Sequence, residues 1–267
     1  MPTATHDGVT LSYERSGPAD AETVAFVEGL SYGTWMWRWQ REALSDAYET
    51  LVWDNRGTGD SDEPEGPYTT EQMAADFEAV LDDAGVESVH VVGASLGGMI
   101  AQQYALDYDR AASLTLIATS PGGEDAVPIP EETQQHMLAV PDDYDEAEAI
   151  RYKMRPAVTD AFWEDHADVI DRIVEWRLET DPSDQAYEWQ AAAAVAFDIS
   201  DRLGELDLPT LLVHGTADRV VPFENGELLA AGIPDARLES IEGGSHLCFV
   251  ERSDTVNDHL RTFLDDV

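Results

Sequence analysis

The sequence predicts an α/β fold: a mostly parallel central sheet with helices on both faces, interrupted by a helical cap insertion. Three observations predict it. Short apolar runs rich in β-branched residues recur along the 267-residue chain, most of them continuous rather than alternating, as expected of strands covered on both faces. Helical patterns lie between them at the spacing of strand–helix units. From Pro121 to about Phe197 this rhythm stops, and no convincing strand is present.

The elements follow in order. "VTLSYERS" (Val9 to Ser16) alternates, follows an Asp7-Gly8 turn and reads as an early strand. Further strands are expected at "TVAFVEG" (Thr23 to Gly29), "ETLVWD" (Glu49 to Asp54), "SVHVVG" (Ser88 to Gly93) and "SLTLIAT" (Ser113 to Thr119). The last two are "TLLVHG" (Thr210 to Gly215) and "ARLESIEG" (Ala236 to Gly243). Helical patterns cover Trp37 to Ser45, Thr70 to Ala84, Leu96 to Tyr108, Glu224 to Ala231 and Asp254 to Leu264. In the insertion, "DAFWEDHADVIDRIVEWRLET" and "SDQAYEWQAAAAVAF" are helical, with Pro128, Pro130, Pro141, Pro156 and Pro182 as separators. Residues 1–120 and 198–267 are thus assigned to one core domain and residues 121–197 to the insertion. A chain of this length buries about 75% of its unfolded surface, enough for a core without staples.

Composition narrows the class. Fifteen Lys plus Arg stand against 55 Asp plus Glu, a formal charge of −40, and Lys153 is the sole lysine. Nucleic acid, which is met by cationic groups, is not an expected partner. The acid excess is interleaved with apolar positions, and 43% of residues are hydrophobic, so disorder is not expected either. Self-repulsion on this scale opposes a compact state in dilute buffer, whereas molar salt shortens the Debye length to about 3 Å. Such acid-rich, lysine-poor surfaces resemble those of salt-accumulating halophiles, and adaptation to high salt is expected. Cys248 is the only cysteine, which excludes an intrachain disulfide and a cysteine-based metal site. No signal peptide, membrane span or metal-ligand spacing is evident, so a cytoplasmic protein without metal, cofactor or membrane partner is expected.

Chemistry concentrates in "VHVVGASLGGMIAQQY" (Val89 to Tyr104), where Gly93, Ala94, Ser95, Gly97 and Gly98 crowd one strand-to-helix junction. A sharp turn of this kind forces its apex residue into a poorly populated backbone region, at about 1–3 kcal/mol for a non-glycine. In return the Ser95 hydroxyl stands above the sheet's carboxyl edge, with the Leu96 N–H pointing where an oxyanion would form. A plain glycine turn that happens to contain a serine is the competing reading. G-x-S-x-G with a strand before and a helix after is the nucleophile elbow. A serine nucleophile needs a base and an orienting acid. Asp218 in "LLVHGTADRVVP" and His246 in "ESIEGGSHLCFVE" follow the last two strands in the required order. His90 lies in a strand pattern, His136, His166 and His259 in helical ones, and His6 at the terminus. His214, just before the acid loop, is expected to pack or hydrogen-bond.

With these motifs the chain resembles the α/β-hydrolase superfamily over almost all of Val9 to Leu264, and its pattern is similar to the enol-lactonase, esterase and cofactor-free haloperoxidase-like branch. "DNRGTGDSD" (Asp54 to Asp62) matches a family loop, and "GTADRVVP" its acid loop. Asp54 and Arg56 are read as structural, through an aspartate–arginine pair that fixes the loop. The resemblance implies a second oxyanion donor in "FVEGLSYGTWMW", carried to the Leu30 N–H with Ser31 as the neighbour that could replace it. Glu28 stands where the family commonly has histidine, and an anion there would oppose catalysis, so Glu28 is expected to turn away or pair. Ser31, Tyr32 and Trp35 are candidate pocket residues, although packing is the favoured reading of the cluster Tyr32, Trp35, Trp37 and Trp39, and of Met99.

The function implied is a serine hydrolase acting on carboxylic esters, lactones or thioesters of small molecules through an acyl-enzyme on Ser95. Family members with an aspartate nucleophile are set aside because the elbow carries Ser95. A carbon–carbon bond hydrolase fits "EGLSYG" poorly, and a lipase fits poorly with the acidic insertion. A small-molecule receptor or non-hydrolytic member of the fold is the alternative from another class, since fold does not fix function.

Overall fold

All five residues of Thr23–Val27 (β3) are buried, and a strand can be apolar on both sides only where both sides are covered. The computed structural model describes residues 1–267 and shows the cover. β3 lies inside an eight-stranded sheet with β1 (Thr3–His6), β2 (Val9–Ser16), β4 (Glu49–Trp53), β5 (Val89–Ala94), β6 (Ala111–Ile117), β7 (Thr210–Gly215) and β8 (Ala236–Ile241), in the order β1-β2-β4-β3-β5-β6-β7-β8. β1 and β2 pair antiparallel, as do β2 and β4; all other neighbours are parallel. The fold is therefore the predicted α/β architecture. β1 is an addition to the expected strands. It is a short edge strand with only Ala4 buried, too polar for an apolar run, and it is held by the Asp7-Gly8 turn, both residues at positive φ (50° and 83°).

One face of the sheet carries α2 (Thr70–Ala84) and α3 (Leu96–Asp107), packed through Phe77, Ile100 and Tyr104. α2 starts at a capping box between Thr69 and Gln72 and stops at Gly85, in the left-handed conformation. The other face carries α1 (Arg38–Leu44), preceded by a 3-10 turn at Thr34–Trp37, and later in the chain α11 (Ser253–Asp266). Val256, Leu260, Phe263 and Leu264 form α11's buried stripe at helical spacing. The expected packing roles hold for Trp37, buried between Phe26 and Phe249 at ring distances of 5.1 and 5.2 Å, and for Met99, packed against the α2–α3 core.

Between β6 and β7 run α4 (Glu131–Leu138), α5 (Glu146–Met154), α6 (Asp160–Asp165), α7 (Ala167–Thr180) and α8 (Asp184–Ala196). No strand interrupts them; the two ends of the segment meet in a single bridge between Gly122 and Asp198. The long pattern from Asp160 to Thr180 is broken at His166, which leaves helical geometry and stacks on Phe162 at 4.8 Å. α9 (Glu224–Gly232) and α10 (Cys248–Glu251) complete the elements. No helix is long and apolar enough to cross a membrane.

The order β4-β3-β5-β6 places a topological switch point between β3 and β5: the chain leaves β3 for β4 on one side and β5 for β6 on the other. In open α/β sheets ligands bind beyond the carboxyl ends of the strands at such a point. Ser95 follows β5 there, and Leu30 follows β3.

Candidate active site

The elbow has the conformation its sequence demands. Ser95 lies at φ 54°, ψ −120°, between β5 and α3, a region open to glycine and strained for any residue with a Cβ. The turn closes only because its neighbours lack side chains. A Cβ on Gly93 would sit 2.3 Å from Gly97 O, and one on Gly97 only 2.0 Å from Val27 O. The second contact draws the end of β3 against the start of α3, which brings the Leu30 loop to the serine. Leu96, as first residue of α3, offers one of the N–H groups that have no partner inside the helix.

Across from Leu96, the loop after β3 is held from several sides. Gly29 N–H points to Met36 Sδ (3.3 Å) and Ser31 N–H donates to Gln190 Oε1 (3.0 Å). The Leu30 N–H between them joins no hydrogen bond within the chain. Because its own N–H is taken, Ser31 is the weaker of the two predicted donors. Gln190 Nε2 donates onward to Arg56 O and Thr58 Oγ1 (2.9 and 2.8 Å), so α8 locks this loop to the Asp54–Asp62 loop.

Asp218 and His246 meet as the sequence predicts. Asp218 Oδ1 accepts the N–H groups of Val220 and Val221 (2.7 and 2.9 Å), and Oδ2 lies 2.8 Å from His246 Nδ1. A proton on Nδ1 leaves Nε2 of a neutral ring as the free acceptor. Burial works to raise the Asp218 pKa. The charge of His246 and hydrogen bonds from His214 and His246 outweigh it and hold the group at about 2. His214 plays the expected supporting part: its Nε2–H donates to Val221 O (2.9 Å) and lies 3.4 Å from Asp218 Oδ2. The His246 loop is anchored to the insertion through Leu247 N–H to Ala157 O (2.9 Å). Buried Cys248, two residues on, has its thiol pKa pushed up by burial and by the Asp218 charge, which leaves it an inert packing group.

Ser95, His246, Leu30, Ser31 and Tyr32 line one pocket of about 110 Å³, roofed by residues of the insertion. No hydrogen bond joins Ser95 Oγ to His246; the hydrogen bonds of Ser95 run through its backbone. Of the four non-glycine residues at positive φ, three (Ser31, Ser95 and Ala118) line this pocket, and the fourth is the hairpin residue Asp7. Strain is thus concentrated around the pocket that Ser95 and His246 share.

Two expectations are corrected, and a third is met by one of its two alternatives. Trp35 does not line the pocket: its Nε1–H donates to Thr180 Oγ1 (3.1 Å), it stacks on Trp176 at 5.4 Å, and it borders a separate cleft with Arg38. Asp54 and Arg56 are both structural but are not each other's partners. Arg56 forms a buried two-bond pair with Asp76 on α2 (2.6 and 2.8 Å), while Asp54 accepts the N–H groups of Thr34 and Asp60 (3.2 and 3.1 Å). Glu28 turns away from the pocket but does not pair. It is fully buried, neither carboxyl oxygen has a hydrogen-bond partner, and burial together with the neighbouring Asp54 holds its pKa well above the usual carboxylate range. Burial thus opposes a negative charge on Glu28.

The pocket also contains residues to which the sequence gives no pocket role: Met36, Ala118, Lys153, Arg177, Tyr187, Val220 and Phe249. Of these only Lys153 carries a signal in the sequence, as a single lysine in an acidic chain.

An α/β sheet with a strained serine at its switch point and a buried acid–imidazole pair on the neighbouring loops is the arrangement of an α/β-hydrolase. Residues 22–253 match the model of the alpha/beta hydrolase fold family, and the chain belongs to that family. It is 30% identical to RutD of Azorhizobium caulinodans, which is named as a carbamate hydrolase, over all of this chain and 99% of that one. To 3-oxoadipate enol-lactonase 2 of Acinetobacter baylyi it is 26% identical, over 96% and 93% of the two chains. The crystal structure of the enol-lactonase from Burkholderia xenovorans superposes with a TM-score of 0.87 at 26% identity, covering 99% of this chain and all of the other.

Proposed function

We propose that the protein is a serine hydrolase that cleaves carboxylic esters or lactones of small molecules through an acyl-enzyme on Ser95, with residues 121–197 serving as a cap. One observation carries the reading: a serine held in a glycine-type conformation opens into the same small pocket as an imidazole whose Nδ1 is engaged by a buried carboxylate. That conformation is strained, and the strain has a use only if the hydroxyl must stand clear of the helix behind it.

His246 Nε2 takes the Ser95 proton as Oγ attacks the substrate carbonyl, and Asp218 keeps the imidazole in the working tautomer and offsets its charge. The Leu96 and Leu30 N–H groups stabilise the oxyanion. The leaving alcohol takes the proton from His246, and water then clears the acyl-enzyme with His246 as base. Hydroxyl and imidazole close to hydrogen-bond distance when substrate is bound; such contacts are often long without it. The small pocket volume supports small acyl compounds. The names of two relatives, a carbamate hydrolase and an enol-lactonase, also describe carbonyl compounds with a heteroatom leaving group.

The test is reaction with a fluorophosphonate probe and hydrolysis of p-nitrophenyl esters of rising chain length, in molar salt. Wild type is labelled at Ser95 and turns over short esters, whereas Ser95→Ala does neither. A labelled serine without turnover on any ester or lactone would favour a small-molecule receptor.

A further inference from the structure

In this chain 55 of 267 residues are acidic, yet none of the 18 that line the Ser95 pocket is, while two of the chain's 15 Lys and Arg are. Composition alone would give the reverse. Both cations come from the insertion, Lys153 from α5 and Arg177 from α7.

Their partners decide what charge is left over. Arg177 is buried. Its Nε and Nη2 donate to Asp181 (2.6 to 3.1 Å), and Nη2 also reaches Ser31 Oγ (3.3 Å). Its guanidinium lies 5.0 Å from the centre of the Tyr32 ring. Its Nη1 meets no carboxylate, and with one N–H turned to the Tyr32 hydroxyl another is still unspent. Lys153 is half-buried, and its Nζ lies 5.9 Å from the centre of the Tyr187 ring, with no carboxylate within ion-pair distance. In a chain this acidic, a lysine has many carboxylates to choose from, and the sole lysine is turned to an apolar pocket instead. Glu146 acts on Asp181 but is exposed and outside the pocket lining, so within the pocket Lys153, Arg177 and Asp181 present a net charge of about one positive unit, with unused donors on two residues. One positive unit matches a monoanion, whereas a phosphate dianion would leave excess negative charge in a low-dielectric site.

We propose that Lys153 and Arg177 form a subsite for a carboxylate carried by the substrate, distant from the bond cleaved, so that the enzyme acts on acid-bearing esters or lactones. This rests on the hydrolase reading above. Lys153 supplies the charge. Arg177, kept in place by Asp181, supplies a directed N–H and, through Ser31, couples the subsite to the loop that carries the Leu30 N–H. Binding energy from the remote carboxylate then orients the carbonyl over Ser95.

The experiment compares mono-p-nitrophenyl adipate with its methyl ester, equal in acyl length and different in charge, at fixed molar ionic strength. Wild type prefers the charged ester in kcat/KM. Lys153→Met lowers that preference about ten-fold or more, through KM, and Lys153→Arg restores most of it. Equal ratios for wild type and Lys153→Met would overturn the subsite and leave the hydrolase reading intact. If instead no ester is turned over and Ser95 resists the fluorophosphonate, the hydrolase reading fails alone. Calorimetric titration with glutarate against glutaramide then decides the subsite: glutarate binding lost in Lys153→Met upholds it, and no preference for glutarate overturns it.

Discussion

Replacing Ser95 with glycine separates the architecture of the elbow from its chemistry. The residue sits at φ 54°, ψ −120°, which costs a side-chain-bearing residue on the order of 1–3 kcal/mol. Ser95→Ala keeps the Cβ and therefore the strain. Its lost hydroxyl takes no folded hydrogen bond with it, because those of Ser95 run through the backbone. Ser95→Gly relieves the strain but frees the unfolded chain, which returns about 0.4–1 kcal/mol of the gain. The glycine variant is expected to be about 0.5–2 kcal/mol more stable than the alanine variant, a rise in Tm of about 1–8 °C for a chain of this size. Both variants are inactive on esters. Thermal melts in molar salt read the difference, with fluorophosphonate labelling as the check that Ser95 is the reactive group. A glycine variant that melts at or below the alanine variant would refute the strain argument.

Asp218→Asn is expected to fold and to lose about 10⁴ in kcat, because the amide cannot hold His246 in the tautomer that leaves Nε2 free; stopped-flow or steady-state ester hydrolysis reads it, and a loss under ten-fold would contradict the assigned role. The raised pair Glu28 and Asp54 makes stability fall with rising pH: a buried acid raised from 3.8 to about 6, as Asp54 is, keeps its full contribution below 3.8 and loses about 3 kcal/mol by the time pH passes 6. Glu28→Gln removes the Glu28 share, so its advantage over wild type in chemical unfolding should be smallest at pH 4 and grow toward pH 8; an advantage independent of pH would mean that Glu28 is ionised in the fold. The charge of −40 makes Tm rise steeply with potassium chloride up to the molar range, and an unchanged Tm in dilute buffer would remove the salt-adaptation reading.

Much of this molecule was legible in its sequence because backbone rules leave little choice at the places that matter. Continuous apolar runs required two covered faces, and G-x-S-x-G between a strand and a helix has one economical geometry. Asp218 and His246 could be placed because each follows a strand whose carboxyl end lies at the same sheet edge. What escaped was decided by side chains that meet across long separations. Arg56 was assigned the near aspartate, Asp54, but takes Asp76 from α2, since a helix facing the loop offers both carboxylate oxygens to the guanidinium fork. Trp35 follows the Leu30 loop in sequence, yet it lies in the 3-10 turn at Thr34–Trp37 and stacks on Trp176. Glu28 turns away, one of the two expected outcomes, but no spacing in the sequence shows that it does so without a partner, in a site whose burial raises its pKa. The roof of the pocket depends on how α4, α5, α7 and α8 dock, and no periodicity specifies that.

The acid-rich surface and the cationic pocket act on one another. A carboxylate-bearing substrate approaching a body of charge −40 is repelled over the Debye length, about 10 Å at 0.1 M salt and about 3 Å at 1 M. Lys153 and Arg177 act only at contact, inside a pocket that counterions enter poorly. Salt therefore removes the repulsion before it weakens the attraction. A cationic subsite on a neutral protein would bind an anionic ester less well as salt rises. Here KM for mono-p-nitrophenyl adipate should fall between 0.1 and 1 M potassium chloride, while KM for its methyl ester changes little. The opposite trend for the charged ester would mean that the surface charge is neutralised locally around the pocket mouth, and that the two features arose without reference to each other.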